Sequence, residues 1–65
     1  MITDNYLLDL IGRSKENAIS KIEYDEFVYR IIKEDGIYYM MTMDHKPNRI
    51  NLEIENDIII SANFG

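Results

Sequence analysis

Acyl-transfer chemistry needs a nucleophile, a base to activate it and a group to orient that base. This 65-residue chain has one histidine, His45, and in principle Ser14 and several carboxylates could meet it. Ser14 has a simpler use. It stands before Lys15-Glu16 and an apolar spacing that starts a helix, where a hydroxyl caps the first free N–H groups. His45 has no partner at a metal-ligand spacing, and the chain contains no cysteine. A general base also needs a pocket, which so short a chain can scarcely enclose. No catalytic residue, metal or cofactor is expected, and an enzyme is the least favoured class.

The unusual stretch runs from Tyr38 to Asn48. It opens with two tyrosines and two methionines, then turns polar at Thr42-Met43-Asp44-His45-Lys46-Pro47-Asn48. Connections of about 12–15 residues without regular structure are uncommon in compact domains and are often functional. Met40 and Met41 read as core filler. Met43 lies between Thr42 and Asp44, so its flanks leave burial and exposure equally open. Pro47 stiffens the backbone and biases Lys46 toward an extended conformation. Arg49 follows at the mouth of a strand. Its guanidinium fork could hold the Thr42 hydroxyl or nearby carbonyls together with the Asp44 carboxylate, bracing the segment from below. The ordinary alternative is a surface pair between Asp44 and Arg49 worth under about 1 kcal/mol.

Seven Lys+Arg against twelve Asp+Glu give a formal charge of −5, which argues against nucleic acid as a partner. Hydrophobic residues at 46% and charged residues at 29% are a globular balance. The apolar runs are too short to span a membrane, and Met1-Ile2-Thr3-Asp4 lacks the pattern of a secretory signal. The expectation is a cytoplasmic protein as the chain stands, or a secreted one if a leader has been removed.

The elements that would position this stretch follow from spacing. Thr3 or Asp4 can cap a short helical turn carrying Tyr6, Leu7, Leu10 and Ile11, with Gly12 ending it. A helix is expected from Lys15 to Ile22 or Tyr24, with Ala18, Ile19 and Ile22 on one face. Phe27 to Ile32 is β-branched and aromatic and reads as a strand. Asp35-Gly36 signals a turn, and local rules make it a hairpin with Ile37 to Met41 returning. Arg49 to Glu55 alternates Ile50, Leu52 and Ile54 with polar residues, so it reads as a half-buried strand. After a turn at Glu55-Asn56-Asp57, Ile58 to Ala62 forms a last, antiparallel strand. One α+β domain over residues 1–65 is expected, with residues 1–9 as a loosely ordered extension. A monomer is expected. The alternative is pairing through an open strand edge at Val28–Ile32 or Ile58–Ala62.

Two blocks resemble the potato inhibitor I family of serine-protease inhibitors. Asp9-Leu10-Ile11-Gly12-Arg13-Ser14-Lys15-Glu16-Asn17-Ala18 is similar to the family's E-L-V-G-K-S-x-E-x-A at its helix entry. Met41-Thr42-Met43-Asp44-His45-Lys46-Pro47-Asn48-Arg49-Ile50-Asn51-Leu52 is similar to V-T-M-[ED]-Y-R-x-[DN]-R-[VIL]-x-L, and closer still to the small bacterial-type pattern T-M-D-x-x-P-x-R-L-N. The resemblance runs from about Leu10 to Gly65. It implies a single helix packed on a small mixed β-sheet, with a long exposed protease-binding loop joining two strands.

By that match the loop is Met41, Thr42, Met43, Asp44, His45 and Lys46, and the reactive bond is Met43–Asp44. Arg49 takes the place of the supporting arginine, Pro47 belongs to the same support, and Asn51 stands where many members carry a second arginine. The segment between Gly36 and Thr42 is longer than the family usually has. A large unbranched residue at Met43 implies a subtilisin-like or chymotrypsin-like serine protease as partner. A plain protein-binding module on the same scaffold is the alternative.

Overall fold

The computed structural model describes residues 3–39 and 48–64. It is an α+β fold with two helices on one face of a four-stranded mixed sheet. The chain runs through α1 (Asp4–Leu10), α2 (Lys15–Tyr24), β1 (Val28–Glu34), β2 (Ile37–Tyr38), β3 (Arg49–Glu55) and β4 (Ile58–Phe64). The expectation of a single helix is corrected. The short helical turn expected after Thr3, within an extension expected to be loosely ordered over residues 1–9, is a helix over Asp4–Leu10 capped by the Thr3 hydroxyl, with Leu7 and Leu10 buried. Seven residues are too few for a helix to hold itself in water. Burial of that apolar pair supplies what propensity cannot.

Gly12 ends α1 with φ +92, a conformation that leaves a side chain strained even though nothing crowds the position. The chain then runs beside β4. Gly12 N–H donates to the Ile59 carbonyl and Ile59 N–H to the Arg13 carbonyl, both at 2.9 Å. Lys15 N–H donates to the Asp57 carbonyl at 2.7 Å. These bonds cover part of β4's outer edge, which would otherwise be open to pairing. Arg13 joins the two helices: Nη2 meets Asp9 Oδ2 and Nη1 meets Asn17 Oδ1, each at 2.7 Å. Ser14 is the N-cap of α2, its hydroxyl accepting from Asn17 N–H at 3.1 Å. The serine weighed as a nucleophile is thus engaged as a cap.

The sheet order is β2-β1-β3-β4. β1 and β3 are parallel, and the other two pairs are antiparallel. β2 flanks β1 only at Lys33 and Glu34, so β1 is an inner strand at that end. Asp35 and Gly36 both have positive φ, 52° and 83°, as a two-residue hairpin turn that matches strand twist requires. The hairpin is real, but among the described residues its return strand is only Ile37–Tyr38. Met40 and Met41, expected to extend it, lie outside the described residues. β3 supplies the centre of the core: Ile50, Leu52 and Ile54 are at most 1% exposed and meet Leu10, Ala18, Ile22, Ile59 and Ala62. Each such side chain contributes on the order of 1.5–3 kcal/mol by leaving water.

Candidate functional site

The parallel pairing of β1 with β3 sets the geometry of the segment between them. Parallel neighbours need a long connection, because the end of one strand lies far from the start of the next. Here that connection includes the Asp35-Gly36 hairpin, so the chain first doubles back along β1. Tyr39 N–H donates to the Ile32 carbonyl at 3.0 Å, which places Tyr39 beside the middle of β1. Arg49 re-enters the sheet opposite Val28, at the start of β1. Residues 40–48 join these two points.

Of the residues singled out from sequence, Met41, Thr42, Met43, Asp44, His45, Lys46 and Pro47 lie outside the described residues. Arg49 and Asn51 lie within them. Arg49 heads β3 and is only 6% exposed, unusual for a side chain that is costly to desolvate. Asn51 is half-buried. Both alternate with the core-facing Ile50 and Leu52, so they occupy the sheet face opposite the helices.

Register shows what shares that face. Paired residues on neighbouring strands point the same way. Val28 therefore flanks Arg49, and Arg30, Asn51 and Asn63 form one row across β1, β3 and β4. Lys33, Glu53 and Ser61 form the next row, with the Lys33 ammonium 4.8 Å from the Tyr38 ring centre. Asn63 Nδ2 donates to Ser61 Oγ at 3.1 Å. Among the described residues Asn51 Oδ1 is buried without a hydrogen-bond partner. A buried acceptor left so costs about 1–3 kcal/mol, which makes it a place where a donor is wanted.

The upstream end of the connection is held by a cluster that sequence reasoning missed. Glu34, the last residue of β1, accepts from Lys15 Nζ at 2.8 and 3.1 Å and from the Tyr39 hydroxyl at 2.8 Å. The hydrogen bond from Lys15, then that from Tyr39, holds the Glu34 carboxyl below its ordinary pKa. The same bonds raise the Lys15 ammonium and the Tyr39 phenol. A second cluster braces the far end of α2. The Tyr6 hydroxyl donates to Asp25 Oδ2 at 2.7 Å, and its ring meets Phe27 edge-on at 5.1 Å. Burial first, then the Asp25 bond, pushes the Tyr6 phenol well above its usual range. Arg30 carried one legible signal, a cation interrupting an apolar strand. Glu34 and Tyr39 carried none, because their partnership spans three elements.

Among the described residues no helix is long and apolar enough to cross a membrane, and no group of three or more His, Cys, Asp or Glu could hold a metal. No family model matches the chain. A stretch of 33 residues, 51% of the chain, is 48% identical to part of an uncharacterized protein of Acanthamoeba polyphaga mimivirus, and the chain spans 10% of that protein.

Proposed function

We propose that this chain is a serine-protease inhibitor that presents residues 41–46 as a substrate-like loop, with Met43–Asp44 as the bond offered for cleavage. The observation that carries the reading is the parallel β1–β3 pair with anchors at both ends of its connection. Tyr39 is fixed to β1 upstream, and Arg49 is buried at the head of β3 downstream. The anchors are separated by two strand spacings sideways and about four residues lengthwise, or roughly 16 Å. The chain between them could reach about 34 Å if extended. The surplus is what a projecting loop needs.

The mechanism asks no catalytic group of this protein. The loop pairs as an extended strand with the protease's substrate-binding edge. Ordering one residue costs on the order of 1–2 kcal/mol, so a loop held in place beforehand loses little on binding. When the protease serine attacks the Met43 carbonyl, the Met43–Asp44 bond breaks and an acyl-enzyme forms. The scaffold holds the Asp44 amine in place, so religation outruns hydrolysis. The Met43 side chain suits the apolar pocket of a subtilisin-like or chymotrypsin-like enzyme. A trypsin-like pocket carries an acidic residue and fits it poorly.

The test is specificity transfer. Met43→Lys should strengthen trypsin inhibition by about a hundredfold, since it pairs a charge the wild type leaves unpaired in that pocket. Unchanged trypsin affinity would remove Met43 from the pocket. A second reading, a non-inhibitory protein-binding module, is favoured by Ile37 and Tyr38, which are 65% and 72% exposed on the hairpin's return strand. Substituting both with Ser leaves protease inhibition intact on the first reading and abolishes partner binding on the second.

A further inference from the structure

We infer that Tyr39 is a positioning residue that, with Glu34 and Lys15, clamps the upstream end of the proposed loop to the helix–sheet body. This rests on the inhibitor reading and adds to it a second support, independent of Arg49 and at the opposite end of the loop. Tyr39 is held at two points: its N–H by the Ile32 carbonyl at 3.0 Å and its hydroxyl by Glu34 Oε1 at 2.8 Å. Two bonds from one residue fix direction as well as position, where one bond leaves a pivot. The acceptor is itself immobilised. The Glu34 side chain is 16% exposed and bound through both oxygens by Lys15, whose own N–H is tied to the Asp57 carbonyl. Residue 39 is thus joined to α2, β1 and the β3–β4 turn at once. Its neighbour Tyr38 is 72% exposed and meets the Lys33 ammonium by its ring face, so the two adjacent tyrosines have different uses.

Tyr39→Phe removes only the hydroxyl, and Glu34→Gln keeps an acceptor while removing its charge. Ile22→Val serves as a control that lowers stability in the core without touching the clamp. All are assayed well below their melting temperatures for subtilisin inhibition, for the hydrolysis rate at Met43–Asp44, and for amide exchange of residues 40–48. A bond to a charged acceptor carries about a tenfold factor, so Tyr39→Phe should weaken inhibition and speed hydrolysis by about that much. Glu34→Gln should change both in the same direction, and Ile22→Val should change neither. Exchange should rise at 40–48 and stay fixed at 50–54. Tyr39→Phe with wild-type hydrolysis and exchange overturns the clamp even if the wild type inhibits well. A wild type that inhibits no protease defeats the inhibitor reading alone, and the exchange comparison still decides the clamp.

Discussion

Replacing Glu26 with glycine should stabilise the protein, although it deletes a side chain and a charge. α2 ends in a Schellman motif: Glu26 N–H donates to the Glu23 carbonyl and Phe27 N–H to the Ile22 carbonyl, each at 3.0 Å. The motif needs a left-handed residue, and Glu26 supplies it at φ 62. For an L-residue that conformation costs about 1–2 kcal/mol. Glycine adopts it freely but loses about 0.5–1 kcal/mol more entropy on folding. Removing a negative charge beside the helix C-terminus returns about 0.3 kcal/mol. The net gain is about 1 kcal/mol, which raises Tm by roughly 4–8 °C for a domain of this size. Circular dichroism melts read it directly, and the urea m-value should stay constant. A Tm equal to or below wild type would show that the left-handed position is not where the cost lies.

Other expectations follow from the charges. Arg49→Met keeps the bulk at a position 6% exposed but removes the guanidinium donors. The fold should persist while subtilisin cuts Met43–Asp44 at least about tenfold faster; an unchanged cleavage rate would end its bracing role. The bonds from Lys15 and Tyr39 lower the Glu34 pKa, and those from Tyr6 and Lys21 lower that of Asp25. Folded values below unfolded ones mean stability that is present above about pH 4.5 and lost as pH falls through the folded values. The Glu34→Gln, Asp25→Asn double variant should therefore show a shallower acid loss in urea midpoint; a slope equal to wild type would contradict it. The raised Tyr6, Tyr39 and Lys15 values act in the opposite sense. Their contribution is complete below about pH 10 and lost as pH rises through the folded values.

What could be read from sequence was what local rules govern. Alternation in Arg49–Glu55 gave the central strand with its inner face, because a half-buried strand must alternate. The Ser14 cap and the Asp35-Gly36 turn were legible because each is a short-range preference. α1 was undervalued because its stability lies in the burial of Leu7 and Leu10, a tertiary effect. β1 continues through Lys33 and Glu34, charged residues that do not announce a strand. Lys33 pairs with Glu53, and Glu34 is satisfied by Lys15 from another element. The Asn56-Asp57 turn was legible because both residue types tolerate the left-handed conformation they adopt here, whereas the left-handed position at Glu26 carries neither glycine nor asparagine and had little signal. At the candidate site Arg49 stood out as a charge at a strand mouth. Tyr39 did not, since a tyrosine in an apolar run looks like packing until its partner is seen.

Titrating a subtilisin with the protein, and identifying the cut bonds by mass spectrometry, tests the central claim most directly. Activity should fall linearly to zero near one equivalent, with intact and singly cut chains coexisting and Met43–Asp44 the sole bond opened. Undiminished activity at micromolar protein, accompanied by rapid cleavage at several bonds, would show an ordinary substrate on a small α+β scaffold.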